Sequence, residues 1–189
     1  MRPVRSILWQ FPQLPSMERC ALIEGADLER FEGTVLTLLD SEPTEIHYSV
    51  TCDAAWQTRS CTVAIESRGS NKTIRLEVDE RGSWTRDGVR ANELDGAADV
   101  DLGFSPCTNT LAIRRLALDV GQHARITVAW LRFPELDVVR SEQVYTRFAE
   151  NTYRYESGTG DFRAELDVDE HGIVTRYGDY WRELLESGL

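Results

Sequence analysis

The sequence predicts a mainly β protein (α+β class) in which two duplicated antiparallel halves wrap around a single central helix. Three observations predict it. LEVDERGSWTRDG at 76–88 returns as LDVDEHGIVTRYG at 166–178, with eight of thirteen positions identical. The same ninety-residue offset aligns TVAIES (62–67) with TYRYES (152–157) without a gap. Between the copies, SPCTNTLAIRRLALDVG at 105–121 is the one stretch with helical rather than alternating spacing of apolar residues.

The elements follow in order. GTVLTLLD (33–40) and EIHYSVTC (45–52) are rich in β-branched and aromatic residues and read as strands. Each copy of the repeat then reads as strand, turn, strand, turn, strand. The turns fall at Arg68–Asn71 and Asp79–Gly82 in the first copy, and at Gly158–Gly160 and Asp169–Gly172 in the second. Asp-Glu-x-Gly places a turn-forming aspartate first and glycine where a hairpin needs positive φ. Ile74, Leu76 and Val78 face one way while Arg75, Glu77 and Asp79 face the other, the period of a sheet with one wet side. In the second copy the spacing of Asp167, Asp169 and Gly172 brushes against a calcium loop, but Gly178 stands where the closing glutamate belongs, so this is a hairpin.

The helix is expected over 105–119, with Ser105 as cap, Pro106 in the first turn and Gly121 after the last apolar residue. Cys107, Leu111 and Leu118 share one side of its wheel, and Ala112, Ile113, Leu116 and Ala117 cover much of the rest, which predicts a buried helix. ARITVAWLRF (124–133) and EQVYTRF (142–148) are further strands. The chain of 189 residues reads as a single domain, with the repeat over about 33–88 and 123–178.

Composition narrows the function classes. A net charge of -11 and a pI near 4.8 argue against nucleic acid and anionic membrane surfaces, because phosphate binding rests on Lys and Arg. Lys72 is the only lysine. No stretch reaches the roughly 18 apolar residues of a membrane helix, and Gln10, Pro12 and Pro15 interrupt the opening apolar run before it forms a signal-peptide core. A cytoplasmic location is expected. Cys20, Cys52, Cys61 and Cys107 are dispersed without a C-x-x-C pair and read as buried free thiols. His47, Cys52 and Cys61 match no usual zinc spacing, so neither a metal nor another cofactor is expected. His47, His123 and His171 lack a serine elbow or an acidic partner at recognisable spacing.

Trp9, ERCAL (18–22), YSVTCDAAWQTR (48–59), GSWTRDG (82–88), LDGAADVDL (94–102), SPCTNTLAIRRL (105–116), EQVYTRF (142–148) and YRYES (153–157) together resemble the bacterial putative glycolipid-binding family, formerly a domain of unknown function. The resemblance spans essentially the whole chain; Ala112 and Gly178 stand where the family commonly has proline, and the first departure leaves the helix start open between Ser105 and Thr110. It implies a spiral antiparallel β-roll around one helix, and a glycolipid or other amphipathic small molecule as ligand.

A cavity between roll and helix suits such a ligand, since an acyl chain gains roughly 0.8 kcal/mol per buried methylene. Trp56, Trp84, Tyr145, Tyr153 and Tyr155 offer flat faces with polar tips for a sugar, with Arg59 as a donor; the alternative is that the aromatics fill the core. Asp99 and Asp101, two apart in ADVDL, face one side of a strand, with Arg114 and Arg115 close behind. They read either as the paired carboxylates of a carbohydrate-active hydrolase or as members of structural ion pairs, the latter preferred. Arg114 is expected to be partly buried against such a carboxylate. The ligand-binding set is therefore Trp56, Arg59, Trp84, Asp99, Asp101, Asn109, Arg114, Tyr145 and Tyr155, with no catalytic residue assigned. The leading function is non-enzymatic binding of an amphipathic ligand; the alternatives are the hydrolase and an acidic protein-interaction module.

Overall fold

The computed structural model describes residues 3–158 and 160–184, so Thr159 of the expected Gly158–Gly160 turn lies outside it. Its strands are β1 Arg5–Phe11, β2 Ser16–Glu24, β3 Leu28–Leu39, β4 Glu42–Asp53, β5 Thr58–Ser67, β6 Ser70–Val78, β7 Trp84–Arg86 and β8 Val89–Arg90. After a 3-10 turn at Asn92–Leu94 come β9 Asp99–Leu102, helix α1 Asn109–Leu116, β10 His123–Leu131, β11 Val138–Ala149, β12 Thr152–Ser157, β13 Arg163–Val168, β14 Val174–Tyr177 and β15 Trp181–Glu183. Among the described residues all fifteen strands join one sheet, in the order β8-β7-β6-β5-β4-β3-β2-β1-β15-β14-β13-β12-β11-β10-β9. Every pairing is antiparallel except the parallel one between β9 and β10.

This order is two up-and-down meanders joined through the pairing of β1 with β15. The strands at that seam, β1, β2 and β15, lie outside the repeat and were not foreseen. Arg5 on β1 fastens it, reaching Asp169 in the β13–β14 turn at 2.8 Å and Glu183 on β15 at 2.5 Å. The sheet also curls back on itself, because the amide of Val100 on β9 donates to the Thr58 hydroxyl at the start of β5.

The duplicated turns are the same object twice. Asp79 Oδ1 accepts the amides of Arg81 and Ser83 at 2.9 and 2.8 Å, and Asp169 Oδ1 those of His171 and Ile173, both at 3.0 Å. Gly82 and Gly172 close the turns at φ 76° and 77°. The hairpins before them differ. Val63 lies opposite Ile74, but Tyr153 lies opposite Leu166 rather than Ala164. The first hairpin turns through Arg68 and Gly69, whereas the second closes only when Ser157 donates to Phe162, so its strands slip by two. An even slip keeps every side chain on its own face.

Helix α1 is shorter than the expected 105–119. Ser105 is not its cap; its hydroxyl accepts the Cys107 amide a turn earlier, and Thr108 precedes the helix without a side-chain cap bond. Ala117 ends it in a left-handed conformation, φ 43°, before Gly121 is reached. Burial is also uneven along its length: Asn109 through Ile113 are buried all round, but Arg114 is exposed, contrary to the expectation of partial burial. Arg115, one position on, is the residue turned toward Asp99.

Gly33 on β3 has a different task. A Cβ there would sit 2.1 Å from Cζ of Tyr48, so glycine lets the Tyr48 ring lie across β3 toward β2.

Two predictions follow from these contacts. Gly33→Ala expels the Tyr48 ring and should cost roughly 2–4 kcal/mol in a denaturant titration, whereas Gly69→Ala, with nothing near its Cβ and only the positive φ of 79° against it, should cost about 1 kcal/mol. Asp169→Ala removes both the turn acceptor and a partner of Arg5, and should lower the melting temperature by roughly 4–8 °C, a larger drop than Asp79→Ala produces. Equal drops would show that Arg5 adds nothing at the seam.

Candidate functional site

A cavity of about 760 Å³ opens where the seam, the second meander and the entry to α1 meet. Its aromatic wall comes from the seam and its flank: Phe11, Tyr155, Phe162, Tyr177, Tyr180 and Trp181, with Trp130 from β10. The rings brace one another edge to face, Phe11 against Trp181 at 4.9 Å and Tyr177 against Trp181 at 5.4 Å. Polar groups line the remainder: Asp101, Ser105, Asn109, Arg140, Ser141 and Glu142. Gly103 and Gly158 lie in the wall because nothing larger fits. A Cβ at Gly103 would meet Nε1 of Trp130 at 2.9 Å, and one at Gly158 would meet the Cβ of Glu142 at 2.4 Å.

Of the nine residues singled out from the sequence, the cavity gathers Asp101, Asn109 and Tyr155. Tyr145 stands directly behind it and donates to Asn109 Oδ1 at 2.8 Å. The Asn109 amide is oriented for this by its own bond to the Pro106 carbonyl at 3.1 Å. Asp101 accepts from Thr108 at 3.0 Å and from the Gln143 amide at 2.7 Å. The four residues Asp101, Gln143, Tyr145 and Asn109 thus form one fixed polar floor, since Tyr145 also reaches Gln143 at 3.3 Å.

The other five lie outside the cavity. Asp99 is 1% exposed and bound by Arg115 at 2.5 Å. Arg114 lies over the Trp56 ring at 4.8 Å on the outer side of the helix. Arg59 pairs with Asp53 at 2.5 Å, and Trp84 is fully buried with its indole N–H on the Ala97 carbonyl. The sequence reading passed over Phe11, Trp130, Phe162, Tyr177, Tyr180 and Trp181. The dense run YGDYW at 177–181 carried a signal; Phe11 did not, because only the β1–β15 pairing brings it there.

Burial sets the proton states. It pushes the Asp101 carboxyl above the usual carboxylate range, against the pull of Thr108 and Gln143, and Asp99 nearby adds to the rise. The Asp99 carboxyl is raised by burial too, with Arg115 opposing. The phenols of Tyr145, Tyr155 and Tyr177 are pushed well up by burial, so they act as neutral hydrogen-bonding groups. An apolar, ring-lined wall facing a fixed polar floor is suited to a molecule with one greasy and one hydroxyl-rich end.

Comparison with curated proteins finds no match. The crystal structure of a DUF1089 family protein from Pseudomonas aeruginosa is similar to this chain at 34% identity and a TM-score of 0.81, over 89% of this chain and 92% of that one. The family described as "Putative glycolipid-binding" matches residues 6–183. With nearly its whole length matched, and a fold shared with a solved DUF1089 protein, this chain belongs to the putative glycolipid-binding family.

Proposed function

We propose that this protein is a non-enzymatic binder of an amphipathic molecule of the glycolipid type, held between the curled sheet and α1. The observation that carries the reading is the division of the 760 Å³ cavity into a ring-lined wall and a polar floor. The volume falls within the range of small-molecule sites, about 300–1,000 Å³. Burying some ten methylenes offers about 8 kcal/mol before ordering costs. In this reading the acyl chain lies along Phe11, Phe162 and Trp181, and sugar hydroxyls meet Asp101, Asn109 and Ser141. The family name supports the ligand class.

Asp99 and Asp101 part company here. Asp99 is held by Arg115 and does not line the cavity, so Asp101 meets a ligand without it. Among the described residues no helix is long and apolar enough to cross a membrane.

Three outcomes test the reading. A fluorescent single-chain glycolipid should bind with micromolar or better affinity and quench tryptophan emission, the quench falling when Trp130→Phe and Trp181→Phe are combined. Ser141→Trp, which fills the cavity without removing a core side chain, should weaken binding at least tenfold while shifting the melting temperature by no more than about 3 °C. Wild-type protein that binds no such probe, or a filled variant that binds it unchanged, overturns the proposal. Asp101→Asn should weaken the glycolipid about tenfold relative to a probe lacking the sugar, whereas Asp99→Asn should leave both affinities alone and cost about 1–3 kcal/mol of stability by stranding Arg115.

A further inference from the structure

The core holds a second polar assembly that the cavity does not use. Glu18 and Cys20 stand two apart on β2 and so project from the same face of the strand into the core. Cys107, in the turn leading to α1, meets them there: one ligand atom from each of Glu18, Cys20 and Cys107 lies within 4.8 Å of the others. Their residues are 2%, 1% and 0% exposed. Glu18 Oε1 accepts from the Tyr48 hydroxyl and, at 2.5 Å, from Ser105. Its other oxygen, Oε2, is buried with no hydrogen-bond partner. The Tyr48 hydroxyl and the Cys107 thiol are both near enough to Cys20 to influence its proton.

We propose that Glu18, Cys20 and Cys107 bind a thiophilic divalent cation, Zn²⁺ by the chemistry of the donors, with the Tyr48 oxygen completing a tetrahedron. The unpartnered Oε2 and the donor set point to it independently. An ionised Glu18 buried this deeply would need a counter-charge, and among the described residues no Arg, Lys or His nitrogen forms an ion pair with it. Asp99, at comparable burial, has Arg115. Two sulfurs with one carboxylate oxygen are donors that zinc accepts and that magnesium and calcium do not favour. Zn–S and Zn–O bonds of about 2.3 and 2.0 Å place neighbouring donors about 3.5–3.8 Å apart, so from separations within 4.8 Å the site closes by at most about 1.3 Å. Tyr48 reaches the cluster only because β3 carries Gly33 beneath its ring. Ser105 lines the cavity and bonds Glu18, so a single side chain separates the cluster from the cavity.

Cobalt(II) is the probe, because a thiolate ligand gives it a sulfur-to-metal charge-transfer band and a tetrahedral site gives intense visible bands. Whole protein, freed of metal by chelator, should bind one equivalent of Co²⁺ with both features, either directly or when refolded with the ion, and Zn²⁺ should displace it. Zn²⁺ should also raise the melting temperature by roughly 5 °C or more at a hundredfold excess over the dissociation constant. Cys20→Ser or Cys107→Ser should remove the charge-transfer band, and Cys61→Ser, outside the cluster, should keep it. Pulsed alkylation of the wild type in partial denaturant gives a reading that needs no variant: Zn²⁺ should slow the reaction of Cys20 and Cys107 more than that of Cys52 and Cys61, which gain only the general stabilisation of the fold. Absence of the thiolate band from both native and refolded protein, or protection of a different pair, overturns the site.

Discussion

The pairing of β1 with β15 is the constraint on which the rest of the molecule depends. Its backbone register is brief, Trp9 opposite Glu183 and Gln10 opposite Arg182, yet it turns two meanders into one sheet. Side chains supply what so short a ladder lacks. Trp9 is fully buried, and its indole N–H reaches the Val174 carbonyl at 2.7 Å, while Arg5 spans Asp169 and Glu183. The two free edges that remain are kept short, two residues in β8 and four in β9, and the β9 edge is capped by Thr58. Short or covered edges are how sheets avoid pairing with other chains. The cavity inherits the same constraint, because Phe11 and Trp181 face each other only through the seam.

Much of the fold was legible because turn chemistry is local. Asp79 and Asp169 recruit amides two and four residues on, and glycine provides the positive φ, so a stretch of a dozen residues carries the whole instruction. Mainly β architecture with one helix followed from alternation in the same way. The two-residue slip between the hairpins was not legible, since it preserves the inside-outside pattern that sequence reading relies on. The helix starts later than Ser105 because that residue spends its hydroxyl on Glu18 and on a preceding turn rather than on a cap, and it ends early because Ala117 turns left-handed.

The candidate site was less legible for a physical reason. Trp84 and Tyr155 look alike in sequence, each an aromatic on a strand beside a conspicuous motif, but one seals the core and the other faces a cavity. What separates them is the curvature of the sheet and the seam, both set by contacts far apart in the chain. Asp101 stood out in the sequence as half of a carboxylate pair with Asp99, yet the two go to different surroundings, Asp99 to Arg115 and Asp101 to the cavity edge.

Three carboxyls, two buried and one half-buried at the cavity edge, show three different solutions to a polar group's demand for a partner. Asp99 takes a guanidinium, Asp101 takes neutral donors from Thr108 and Gln143 at the edge of a cavity, and Glu18 takes hydroxyls on one oxygen alone. Two of the three, Asp101 and Glu18, are bonded by the segment that leads into α1, where Ser105, Thr108 and Asn109 are all buried despite their polarity. Ser105 bonds Glu18 of the first meander, Asn109 receives Tyr145 of the second, and Thr108 joins Asp101 to the Leu102 amide. Each of these bonds is made inside the core, where an unpaired group is costly, so none can be dropped without penalty. A segment built this way cannot shift relative to one meander without straining its bonds to the other, and this run of buried polar residues sits where the two halves, the helix and the cavity converge.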